Sequence, residues 1–116
     1  MERFEDIIGW QHARRLCQEV YSVTKRQEFS KDYALRDQIT RAAGSAMHNI
    51  EEGFGNQSSA EFARFLGYSI RSCSEVQSQL YIALDQGYIS NEDFGKIYKI
   101  AEETRKTTRG LKRSLP

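Results

Sequence analysis

Proline is almost absent from this chain of 116 residues: the one proline is Pro116, its last residue. Nothing upstream removes a backbone donor or clashes with a helical turn, so long unbroken helices are open to the whole chain. A surplus of one charge is also lacking. Seventeen Lys and Arg stand against 16 Asp and Glu, a formal net charge of +1, which excludes a polyanionic or polycationic protein and leaves only local clusters to argue from. No run of about eighteen apolar residues occurs, so no membrane span or membrane partner is expected. The charged start Met1-Glu2-Arg3-Phe4-Glu5-Asp6 is not expected to act as a secretion signal. Cysteine is scarce. Cys17 and Cys73 form no CxxC pair and fall where a helical apolar stripe takes a small hydrophobe, so they are read as buried thiols in a reducing, cytoplasmic setting.

What the chain does have is helical periodicity, in a length that suits one domain able to close its own core. Ile7, Trp10, Ala13, Leu16, Cys17, Val20, Tyr21 and Thr24 recur at steps of three and four and predict a first helix over about 7–28. Phe29 to Asp32 reads as an interruption. Leu35, Ile39, Ala42, Ala43, Ala46, Ile50 and Phe54 then predict a second helix over about 32–54, with Gly53 to Gly55 as a left-handed stop. Its alanines let a neighbouring backbone come close, which puts this helix in the tightest part of the core. Ser58 and Glu61 have capping-box spacing and open a third helix over about 59–87, carried by Phe62, Leu66, Ser69, Cys73, Val76, Leu80 and Ala83. Ser90 and Asp93 open a fourth over about 91–113, with Phe94, Ile97, Ala101, Thr104, Thr108 and Leu111 facing inward. Short connections favour antiparallel neighbours, so the expected fold is all-α, an up-down-up-down four-helix bundle in a single domain.

Two polar strips flank the apolar faces. Gln38, Arg41, Ser45, Asn49 and Glu52 lie on one line of the second helix, and Glu61, Arg64, Tyr68, Ser72, Glu75 and Gln79 on one line of the third. In an antiparallel hairpin Arg41 faces Glu75, Ser45 faces Ser72, and Glu52 faces Arg64. The two opposite-charge pairs are expected to fix the register of that hairpin. The competing reading is a pair of solvated polar faces, since exposed ion pairs contribute only about 0 to 1 kcal/mol.

Catalytic and cofactor motifs are sparse. Neither His12 nor His48 follows a Glu by three residues, so no di-metal centre, metal or cofactor is expected. The Gly53-Phe54-Gly55-Asn56 stretch follows a helix where a phosphate cradle would precede one. His48 and Asn49 beside Glu51 and Glu52 lack an activated nucleophile or oxyanion site, and no enzyme activity is expected. Charge distribution says more. Residues 96 to 116 carry Lys96, Lys99, Arg105, Lys106, Arg109, Lys112 and Arg113 against Glu102 and Glu103, a balance of +5 set against −4 for the rest. These seven cations are the candidate nucleic-acid-binding residues; alternatively they only complement the dipole at a helix C-terminus.

Several strings together carry a family likeness: Trp10-Gln11, Gln38-Ile39-Thr40-Arg41-Ala42-Ala43 with Ser45, Asn49-Ile50-Glu51-Glu52-Gly53-Phe54-Gly55, and Glu61-Phe62-Ala63-Arg64-Phe65-Leu66 followed by Ser72 and Glu75. Over about Phe4 to Leu111 the chain resembles the four-helix-bundle proteins encoded in intervening sequences of bacterial 23S rRNA genes. It departs from their usual pattern at Ser30 and Met47, where they often carry proline, and at Glu51, where they carry a small residue; the second helix should be straighter for it. The resemblance implies a cytoplasmic, non-enzymatic homo-oligomer, often a pentamer. Accessory proteins of diversity-generating retroelements are similar in fold and bind nucleic acid and a reverse transcriptase through basic surfaces. Contact with RNA or DNA through the basic C-terminal helix is the leading expectation. The alternative is a scaffold that meets a protein partner through its polar strips and exposed aromatics such as Tyr33 and Tyr88.

Overall fold

Three side-chain caps start the long helices. Asp32 accepts from the Leu35 amide at 3.1 Å, Ser58 from Glu61 at 3.1 Å and Ser90 from Asp93 at 3.0 Å, each worth about 1 kcal/mol against a helix with no cap. The structure is a computed structural model describing residues 2–56 and 58–116. After a 3-10 turn at Phe4–Asp6 come α1 (Ile8–Thr24), α2 (Gln27–Lys31), α3 (Tyr33–Phe54), α4 (Ser59–Asp85) and α5 (Asn91–Ser114). Helix α3 runs unbroken through Met47.

The four long helices form an all-α bundle, 45 × 22 × 19 Å in extent, in which α1 and α4 each pack mainly on α3 and α5. Their contacts run antiparallel. Along α3 and α4, Ser45 meets Ser72, Ala46 meets Ser69, and Gly53 meets Phe62 and Phe65. Along α1 and α5, Gly9 meets Thr108 and Glu19 meets Lys96, and just past α1 Arg26 meets Asp93. Gly67 meets Lys112 and Gln77 meets Glu102 across α4 and α5. The core has two clusters. One gathers Leu16, Val20, Phe29, Ile39, Val76, Leu80 and Ile97; the other, toward the α3–α4 turn, gathers Ile7, Ala13, Ala46, Ile50, Leu66 and Cys73. Cys73 is fully buried and Cys17, half buried, donates to the Ala43 carbonyl at 3.1 Å. Burial pushes the two thiols up, to about 12 and about 11 respectively.

Five local expectations need correction. The first helix stops at Thr24, and the stretch read as an interruption is largely helical: α2 exists to bury Phe29, which is fully enclosed and stacks on Tyr88 at 5.2 Å. Tyr88 is accordingly no free contact residue, since its hydroxyl donates to Asp32 Oδ2 at 2.9 Å and ties the α4–α5 loop to the α3 cap. Gly53 is not a left-handed stop. It lies inside α3, where a Cβ would come within 2.9 Å of both Phe62 Cδ1 and Phe65 Cβ, so its lack of a side chain lets α4 close onto α3. The left-handed glycine is instead Gly87, φ +76°, just past α4. Finally, Tyr21 is 50% exposed, while Val23 takes its expected place in the core.

Candidate functional site

The α3–α4 seam is keyed by hydroxyls. Ser69, fully buried, donates to the Ala46 carbonyl at 2.7 Å, and Ser72 bonds Ser45 hydroxyl to hydroxyl at 2.9 Å. Asn49 Nδ2 donates to the same Ser45, to its carbonyl at 2.8 Å and its Oγ at 2.9 Å. Beyond Ser72 a groove of about 300 Å³ is lined by Gln38, Arg41, Ala42, Ser45, Ser72, Glu75 and Gln79. The strips therefore do face one another, but not through the expected ion pairs. Arg41 and Glu75 share the groove without coming within ion-pair distance, because short serines let the backbones meet while the longer side chains splay to solvent at the rim. Arg64 turns to its own helix, to Glu61 at 2.7 Å and the Tyr68 hydroxyl at 3.0 Å, so it does not pair with Glu52.

The seven cations of α5 separate into two groups. Lys96 binds Glu19 across the bundle at 2.9 Å. Arg105 clamps Glu102 with two bonds at 2.9 and 2.8 Å, Lys106 stands 3.7 Å from the same carboxylate, and Gln77 donates to it at 3.0 Å. The hydrogen bond from Arg105, then that from Gln77, holds the Glu102 carboxyl at about 2. These cations have their charge met within the fold. Lys99 is exposed and, with Arg109, Lys112 and Arg113, has no acidic partner within ion-pair distance among the described residues. Three of these four, Arg109, Lys112 and Arg113, converge with Arg71 of α4 on a shallow cleft of about 430 Å³ floored by Gly67 and Ile70. Gly67 matters here: a Cβ on it would stand 3.4 Å from the Lys112 ammonium, which lies over the glycine.

Four cations without counter-charge around one concavity make a site for an anion, with the positive potential focused by the low-dielectric wall behind it. A helix dipole does not account for it, because Arg71 comes from the interior of α4. Among the described residues, no group of three or more His, Cys, Asp or Glu is placed to hold a metal, and no helix is long and apolar enough to cross a membrane.

A family model described as 23S rRNA-intervening sequence protein matches residues 5–110. The chain belongs to that family. In fold, the chain is similar to a crystal structure at 1.70 Å of a protein of unknown function, from the S23 ribosomal protein family of Bacteroides thetaiotaomicron. The TM-score is 0.84 at 20% identity, over 92% of this chain and 100% of that one. No curated protein matches it. Within this family member, sequence reasoning missed Arg71, which lies one position off the polar strip read along α4. Extending the antiparallel register argument to α4 and α5 would have found it, since Gly67 opposite Lys112 fixes the alignment that brings Arg71 beside Arg109.

Proposed function

We propose that this protein acts by binding rather than catalysis, holding the phosphates of RNA or DNA in the cleft of Arg71, Arg109, Lys112 and Arg113. The observation that carries this reading is the convergence of four cations, none with an acidic partner among the described residues, on one cleft. Guanidinium groups present forked donors that match phosphate oxygens, and three of the four cations are arginines. In a ring-like homo-oligomer, of five subunits as the family resemblance implies, the cleft is repeated and its field adds. Tyr81 and Ile82, 51% and 47% exposed, give such an assembly an apolar surface to cover, and they equally support the second reading, a scaffold for a protein partner.

A titration by fluorescence anisotropy across salt concentrations tests the proposal. Four neutralised phosphates give a log–log salt slope of about −2.8 on single strands and about −3.6 on duplex DNA, which is about 50-fold weaker single-strand binding on going from about 50 to 200 mM salt. Affinity that does not change with salt refutes the phosphate reading and leaves the scaffold.

A further inference from the structure

The cleft does not end at Arg71. On α4 the Arg71 guanidinium lies 5.7 Å from the centre of the Tyr68 ring, and Arg64 lies 5.6 Å from the same centre. Phe65 meets Tyr68 edge-on at 5.7 Å, and Arg64 also lies over Phe65 at 5.2 Å. Arg64 and Arg71 are exposed and Tyr68 is half buried, with both guanidinium groups over its ring. From Arg64 to Arg71 the helix rises about 10 Å. This cationic, aromatic surface runs into the phosphate cleft through a shared residue, Arg71. The nearest acidic groups on this face are Glu61, engaged with Arg64, and Glu75, one turn beyond Arg71 and outside ion-pair distance of it.

We infer that α4 is a stacking platform that selects single-stranded nucleic acid: an unpaired base lies against Tyr68 and the Arg71 guanidinium while the adjoining phosphates sit among Arg109, Lys112 and Arg113. In a duplex the base faces are covered by their neighbours, so only an unpaired strand offers both groups at once. An aromatic ring flanked by guanidinium planes beside a cationic groove is the arrangement that binds unpaired bases without reading their edges. The inference rests on the phosphate-cleft reading above and adds to it a base contact and a strand preference.

The test uses the full chain and three labelled probes of equal length: an oligodeoxyadenylate, an abasic deoxyribose-phosphate oligomer and a DNA duplex. The base-bearing strand should bind about 5- to 150-fold more tightly than the abasic one, the range that stacking of a single base provides. Tyr68→Ala should abolish that ratio while leaving the abasic affinity and its salt slope unchanged. Tyr68→Phe, which keeps the ring and loses only the hydroxyl bond to Arg64, should retain the ratio and serve as the folding control. Equal binding of the base-bearing and abasic strands, or a Tyr68→Ala loss that falls equally on both, overturns the stacking inference and leaves the phosphate cleft standing. Failure of all three probes to bind overturns both.

Discussion

Replacing Gly53 by alanine should destabilise this protein, although the same change at an open helical glycine should stabilise it. Alanine is favoured over glycine inside a helix by about 1 kcal/mol. At Gly53 the new methyl group stands 2.9 Å from Phe62 Cδ1, 2.9 Å from Phe65 Cβ and 3.3 Å from the Phe62 carbonyl oxygen. Non-bonded carbons settle at about 3.5–4.0 Å, so the ring of Phe62 must swing and, because Phe65 Cβ is fixed to α4, the two helices must part by about 0.6 Å. Overpacking of this kind costs about 1–3 kcal/mol. The net expectation is a loss of about 1 kcal/mol, the balance of those two effects. Gly95 and Gly110, both exposed on α5 and with no atom within 4 Å of an added Cβ, supply the controls. Their alanine variants should gain about 0.5–1 kcal/mol. Urea unfolding followed by far-ultraviolet circular dichroism reads all three. An upward shift of the midpoint for Gly53→Ala, alongside the controls, would refute the close approach of α3 and α4 at this point.

Two further outcomes follow from the seam and from α5. A double-mutant cycle on Ser45 and Ser72 should give a coupling of about 0.5–1 kcal/mol from their direct bond, whereas a cycle on Arg41 and Glu75 should give about 0–0.3 kcal/mol for charges splayed at a groove rim. Reversal of that order removes the hydroxyl key. Glu102 provides a pH dependence: its carboxyl stands at about 2 in the folded chain against an ordinary 4.5, so the unfolded chain takes up the proton first. The stabilisation is complete above about pH 4.5 and is lost as pH falls from there toward 2, a change of about 1 kcal/mol once solvent screening at this half-exposed group is allowed for. Glu102→Gln should flatten that part of the stability curve in urea titrations, and an unchanged acid limb contradicts the Arg105 clamp.

The architecture was legible because every long helix carries an apolar stripe, and in α4 and α5 a side-chain cap agrees with it, whereas α1 has no such cap. Ser58 with Glu61 and Ser90 with Asp93 cap as their spacing requires, and the antiparallel register of α3 and α4 follows from the facing positions. What could not be read was which facing residues touch. Charge complementarity pointed to Arg41 with Glu75, but side-chain length decides who meets at a close seam, and the short serines do. Helix α2 was hidden because five residues carry no periodicity; only the burial of a single ring, Phe29, explains it. On α5 the sequence identified the excess of positive charge but not its division, since Glu19 and Glu102, distant or ambiguous in the sequence, absorb Lys96 and Arg105. The fourth member of the cleft, Arg71, comes from another helix and enters through tertiary register alone.

The arrangement of unmatched charge, not its total, is the centre of this account, and one comparison tests it directly. Arg71, Arg109, Lys112 and Arg113 are replaced together by serine in one variant; in a second, the exposed Arg14, Arg15, Lys25 and Lys99, also without acidic partners among the described residues, are replaced in the same way. The two proteins carry the same net charge. Anisotropy titration of a single-stranded oligonucleotide against salt should show the slope collapsing from about −2.8 toward zero in the first and holding in the second. Equal slopes in the two variants would contradict the cleft as the binding site.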